Sequence, residues 1–299
     1  MRIGASNYSL LKSYGEEKSI EILAKAGFDC IDYNFESCDE FNNKKLFVGT
    51  TDDEFDAYFM HVKKVLDENN IIVGQTHAHT GGIEYTSTKE YFDTVVRSIR
   101  ATEILGSKYI VIHPLILPSY KYDEKKEENK KINMEFFTKI TPYLVKHDVK
   151  NGFENMWNWD EEKDKICSTV CSRPEEIIDY IETLNSDRYV ACLDLGHINL
   201  TTDTGDTVHG AILKLSKYLE IVHIHDNDKK YDLHLPPFWG DIDWCKVAKA
   251  FKSINYKGVL NYEVGESFFD KFGRENVQSC ANYLAENARL LKTIIKNSL

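Results

Sequence analysis

Leu219-Glu220-Ile221-Val222-His223-Ile224-His225-Asp226-Asn227-Asp228 runs on through Tyr231-Asp232-Leu233-His234 to Gly240-Asp241-Ile242-Asp243-Trp244. The β-branched residues Ile221, Val222 and Ile224 favour a strand at its start. Side chains two apart on a strand share a face, so His223 and His225 project together. Asp232 and His234 repeat the same spacing. Imidazole and carboxylate are ligands for divalent metals, and the stretch reads as one wall of a metal site. The question for the rest of the chain is whether it supplies further ligands.

Working outward, apolar strand-like runs alternate with amphipathic helical runs. Strands are expected over 3–8, 28–35, 71–78, 109–113, 149–154, 189–194, 219–225 and 258–264. Each is followed by a helical pattern: 16–26, 53–69, 89–105, 132–147, 174–184 with Ser172 as N-cap, 208–218, 244–254, and about 275 to the end. The charged run at 121–131 reads as a solvated loop or helix start, and the segment holding Trp157 and Trp159 as a long loop. Strands alternating with helices imply a parallel sheet with right-handed crossovers. Eight such units in 299 residues fit an α/β fold, the (β/α)8 TIM barrel, as a single domain over residues 1–299. A doubly wound open sheet is the runner-up, but Gly4-Ala5-Ser6-Asn7 is not the glycine-rich phosphate loop expected after its first strand.

Barrel active sites gather at the carboxyl ends of the strands. There the sequence places His77 and His79 on strand three, His113 on four, Glu154 on five, Asp194 and His197 on six, His223 and His225 on seven with Asp232 and His234 just beyond, and Glu263 on eight. Of ten histidines, only His61, His147 and His209 fall outside this rim. One strand-end histidine is ordinarily structural. Six consecutive strands each delivering a metal-competent residue point to a metal site.

The formal net charge of −11 disfavours nucleic acid as a partner, because such binders usually carry a basic face. No signal peptide and no membrane-length apolar run is seen, and the seven cysteines, without a Cys-x-x-Cys pair, read as free thiols of a cytoplasmic protein.

Phe153-Glu154-Asn155, Leu193-Asp194-Leu195-Gly196-His197, the His-Ile-His-Asp-Asn-Asp run with Asp232-Leu233-His234-Leu235-Pro236-Pro237, Gly240-Asp241-Ile242-Asp243-Trp244 and Tyr262-Glu263 together resemble the xylose isomerase-like TIM barrels. The branch they resemble most is the sugar phosphate isomerase/epimerases, which are related to endonuclease IV. The resemblance implies a metal-dependent enzyme acting on a sugar or sugar-like polyol, isomerising or epimerising it by proton transfer through an enediolate. It implies one divalent ion (Mn2+, Co2+, Mg2+ or Zn2+) held by Glu154, Asp194, His225 and Glu263, with Glu154 and Glu263 also as the catalytic acid and base. His225 is preferred to His223, which would lie deeper. His197, Asp232 and His234 would hold a second ion or touch the substrate. His77, His113, His223, Trp157 and Trp239 would bind substrate, with Tyr8, Trp159 and Phe238 as further candidates to line the pocket. The alternative is a metal-dependent hydrolase or lyase, either a phosphodiesterase of the endonuclease IV type or a deglycosylating enzyme. A small-molecule carbohydrate is the expected partner, and a homo-oligomer is left open.

Overall fold

A computed structural model describes residues 1–41, 45–117 and 122–298. Its strands are β1 (Ile3–Ser6), β2 (Cys30–Asn34), β3 (Ile72–His77), β4 (Tyr109–Val111), β5 (Lys150–Glu154), β6 (Trp157–Asp160), β7 (Lys165–Ser168), β8 (Tyr189–Asp194), β9 (Leu219–His223) and β10 (Leu260–Tyr262). All but β6 and β7 form one parallel sheet in the order β10-β1-β2-β3-β4-β5-β8-β9. Its two ends meet in a parallel bridge from Ile224 to Tyr262. There Ile224 N donates to Asn261 O at 2.8 Å and Glu263 N to Ile224 O at 3.1 Å. The sheet therefore curls into the expected TIM barrel, with a helix after each barrel strand.

The β2 and β8 residues are buried along their whole length. That is how strands covered on both faces behave, and it makes the polar residues among them, Asp32, Asn34 and Asp194, buried ones. Gly152 in β5 makes room inside: a Cβ there would lie 2.4 Å from Ile221 Cδ1. The helices start where side chains satisfy their free N–H groups. Thr51 and Glu54 close a capping box at the helix Asp52–Glu68, and Asp243 caps Trp244–Ser253.

Three local readings change. From Tyr122 on, the charged run is the start of a helix, Tyr122–Lys146, ten residues before the boundary expected for it, while Lys121 lies outside the described residues. Its buried Asn129 and Asn133 fold the preceding segment back: Asn133 Oδ1 accepts from Leu115 N at 2.7 Å and Asn129 Oδ1 from Leu117 N at 2.9 Å. The segment after Glu154 is a hairpin, β6 and β7 pairing antiparallel with Trp157 opposite Ser168. Ser172 is not the N-cap of Pro174–Leu184, which is Arg173. Its hydroxyl instead accepts from Thr169 N and donates to Met156 O, stapling the hairpin to the barrel. All seven cysteines are free. No helix among the described residues is long and apolar enough to cross a membrane.

Candidate metal centre and active site

Each strand end brings one side chain to the same mouth. Glu154 closes β5, Asp194 closes β8, His223 closes β9, and Glu263 follows β10. Their ligand atoms lie within 4.8 Å of one another. His223 Nδ1 is the hub: it sits 2.9 Å from Glu154 Oε1, 3.3 Å from Glu263 Oε2 and 3.9 Å from Asp194 Oδ2. On the other side of Glu154, its Oε2 lies 3.0 Å from His113 Nε2 and 3.6 Å from His77 Nε2, so this carboxylate belongs to two adjoining groups.

A further cluster stands above, made of His197, His225, Asp232 and His234. His225 Nε2 lies 3.1 Å from Asp194 Oδ1 and 3.8 Å from Asp232 Oδ1. Asp232 Oδ2 lies 3.1 Å from His234 Nε2 and 3.5 Å from His197 Nε2. The His225 and His234 rings stack at 4.0 Å and 13°. Gly196 permits this packing, since a Cβ there would lie 1.9 Å from His225 Cε1. His234 has a positive φ of 44°, a left-handed backbone uncommon for a non-glycine residue.

The loop that carries Asp232 and His234 is tied down by Asp226. This buried carboxylate accepts from the backbone N–H groups of Asn227, Phe238 and Ile242 and from Trp244 Nε1 at 2.7 Å. The Gly-Asp-Ile-Asp-Trp motif thereby serves the loop, with Trp244 as the anchor. Asn155 does similar work for Asp194: its amide accepts from Asp194 N at 2.8 Å and donates to Asp194 O at 2.9 Å. Neither role could be read from residue type or spacing, because both depend on which loops the barrel folds together.

The expected grouping of His225 with Glu154, Asp194 and Glu263 is not what the structure brings together. His223 occupies that position and His225 joins the upper cluster. The reason is strand geometry: residues i and i+2 share a face but stand about 6–7 Å apart along the strand. The deep carboxylates are level with His223. Trp239, expected to bind substrate, faces away. It packs on Phe268 at 5.7 Å and donates from Nε1 to Tyr283 Oη, outside the cavity.

That cavity, of about 500 Å3, opens over both clusters. Its wall includes Tyr8, His77, His113, Glu154, Trp157, His197, Asp232, His234 and Glu263. Trp157 is held by a hydrogen bond from its Nε1 to Asp232 Oδ2 at 3.0 Å. Trp159 and Phe238 do not line it, and among the described residues neither does any lysine or arginine.

The electrostatics are those of a cation site. Burial pushes the Glu154 carboxyl up, but His223, His113 and His77 outweigh it and hold Glu154 well below the ordinary range. Asp232 is lowered in the same way by His197 and His234. Burial opposes charge on His77 and His234, yet Glu154 and Asp232 respectively raise them to about 9. For His113 burial prevails and the pKa falls. Several buried atoms are also without a hydrogen-bond partner: Glu154 Oε2, Asp194 Oδ2, His223 Nε2, His225 Nδ1 and Nε2, and Asp232 Oδ1. Buried polar atoms are normally satisfied, and a set of orphaned carboxylate and imidazole atoms converging on one mouth fits a divalent ion.

A family model described as the xylose isomerase-like TIM barrel matches residues 20–290, and the chain belongs to that family. An uncharacterized protein of Sinorhizobium fredii is 23% identical over 268 residues, covering 83% of this chain and 81% of its own. Among solved structures, D-psicose 3-epimerase in the presence of D-fructose is 17% identical with a TM-score of 0.73, over 97% of this chain and 99% of its own. The IolI protein with a bound zinc atom is 16% identical with a TM-score of 0.70, over 100% and 99%. At these identities the structural likeness shows the shared fold.

Proposed function

We propose that this xylose isomerase-like barrel is a divalent-metal-dependent isomerase or epimerase of a sugar or sugar-like polyol. The observation that carries the reading is the convergence of Glu154 and Glu263 on His223 Nδ1, at 2.9 and 3.3 Å, with both glutamates lining a cavity sized for a small molecule. Epimerase neighbours such as D-psicose 3-epimerase support the same chemistry, and a zinc-bound neighbour supports a metal.

Glu154, Asp194, His223 and Glu263 are the residues that would hold the ion, a mixed oxygen and nitrogen set suited to Mn2+, Co2+, Mg2+ or Zn2+. Bound there, the ion supplies Lewis acidity that polarises a substrate carbonyl and acidifies the neighbouring C–H. That help is needed, because Glu154 is held in its anionic form and is a weak base unaided. One glutamate takes the proton from carbon to leave an enediolate, and the other returns a proton to the adjacent position or the opposite face. Both line the cavity, and Glu263, with a side chain 22% exposed against 2% for Glu154, is the more open of the two. His113 and His197 stand at the wall to hold hydroxyls, and the Trp157 ring offers a face to sugar C–H groups.

A second reading, a multinuclear phosphodiesterase of the endonuclease IV kind, draws on one observation: three metal-competent groups adjoin, two of them sharing Glu154. The absence of lysine and arginine from the described cavity wall and the net charge of −11 weigh against a polyanionic substrate.

The test is a panel of ketoses, inososes and keto-glycosides, run in D2O with Mn2+, Co2+, Mg2+ and Zn2+ in turn. Turnover with deuterium entering the substrate carbon is the expected result. Nicking of abasic DNA with no sugar turnover would replace this reading with the second.

A further inference from the structure

Beneath the deep cluster lies a buried carboxylate that the chemistry above does not use. Asp32, on β2, is 1% exposed. Its Oδ2 stands 3.3 Å from His223 Nε2, a buried ring nitrogen that faces away from Glu154, Asp194 and Glu263 and makes no aligned hydrogen bond in this structure, where Nδ1 pairs with Glu154. The same oxygen accepts from Asn261 Nδ2 at 2.8 Å and Gln75 Nε2 at 3.3 Å. Four strands therefore meet on one atom: β2 through Asp32, β3 through Gln75, β9 through His223 and β10 through Asn261.

We propose that Asp32 is the positioning residue of the metal centre: it fixes His223 with its proton on Nε2, so that Nδ1 presents a bare lone pair toward Glu154, Asp194 and Glu263. This rests on the reading that the deep cluster holds the ion. The role does not depend on which substrate is turned over. A neutral imidazole has one donor and one acceptor nitrogen, and the partner of one decides the role of the other. His223 is fully buried, so water does not compete for Nε2. Three neighbours that can only accept when ionised surround Nδ1, and with an ion among them Nδ1 must be the acceptor. Asp32 then receives the remaining proton. Its two amide partners hold the carboxylate in place from neighbouring strands, opposite Nε2. Carboxylates that back a metal-binding histidine raise its basicity and its affinity for the ion, commonly by about 10–100-fold.

The experiment titrates Mn2+ alone into the full chain by isothermal calorimetry, comparing wild type, Glu263→Ala and Asp32→Asn. Glu263→Ala identifies the deep ion, because Glu263 belongs to that cluster alone. The expected result is loss of that ion in Glu263→Ala and at least tenfold weaker binding in Asp32→Asn, with the far-ultraviolet circular dichroism of the metal-free protein unchanged. If Glu263→Ala loses the ion while Asp32→Asn binds within twofold of wild type, the inference about Asp32 is overturned and the metal reading stands. If Glu263→Ala binds like wild type, the metal reading fails and this inference with it. A second measurement does not depend on a variant folding. Long-range 1H–15N correlation in wild type loaded with diamagnetic Zn2+ reads the His223 tautomer directly. A proton on Nε2 supports the assignment, and a proton on Nδ1 overturns it.

Discussion

The deep and upper clusters contain the same residue types but are built differently. In the deep cluster each side chain comes from the end of a separate strand, and the parallel ladder fixes its height. In the upper cluster Asp232 and His234 hang on one long loop, and His197 follows the strand β8 in the short helix Leu195–Leu200. The deep cluster is therefore set by the barrel itself. The upper one is set by particular props: Asp226 gathering the loop, and Gly196 leaving space for the His225 ring. On the proposed reading, the most demanding chemistry falls on the rigid layer and the loop layer shapes what enters.

That contrast predicts different failures. Glu154→Gln removes a carboxylate shared by two groups without changing the fold. Turnover should fall by roughly 1,000-fold or more, about 4 kcal/mol, in steady-state assays on folded protein. Retention of more than a tenth of the activity would take the reaction away from the deep layer. Asp226→Ala strands three backbone N–H groups and the Trp244 indole, at a cost of about 3 kcal/mol or more. The melting temperature should drop and ion binding at the upper cluster weaken, while binding at the deep cluster persists. Equal loss at both would show that the layers are not separate.

The scaffold has a pH dependence of its own, distinct from either cluster. Burial pushes Glu176 up to about 7, opposed by the Cys171 N–H that it accepts. A carboxyl with a raised pKa in the folded state contributes its stability fully below its unfolded value. That contribution is lost as pH rises through about 7, amounting to roughly 3 kcal/mol. Glu176→Gln lacks this loss, so its stability relative to wild type should rise between pH 5 and pH 8 in denaturant titrations. A flat difference would contradict the assignment. Gly196→Ala has the smallest expected effect, about 2 kcal/mol, since the added methyl must displace the His225 ring. It should disturb the upper cluster and spare deep-site affinity, which metal titration of the variant would show.

The same contrast explains what could be read from the sequence. The deep residues were legible because a strand-end position is a pattern, repeated at Glu154, Asp194 and Glu263. Which histidine of the pair joins them was not, because His223 and His225 share a face and only the register of β9 against β8, with Asp194 opposite His223, sets the level. Asp226 and Asn155 lie beside the metal-competent residues in sequence, yet they act through backbone groups of distant segments. Asp32 carries no signal at all, since a lone aspartate in a strand looks like any other until the barrel closes around it. Trp239 shows the opposite error: an aromatic near the motif invites a substrate role, but its loop turns it onto Phe268 and Tyr283.

The most direct measurement is a crystal structure of the protein soaked in Mn2+, with anomalous scattering recorded to locate the ions. The expected result is an ion bound by Glu154, Asp194, His223 Nδ1 and Glu263. An ion that takes His225 in place of His223, or a deep cluster with no anomalous peak beside an occupied upper one, would contradict it.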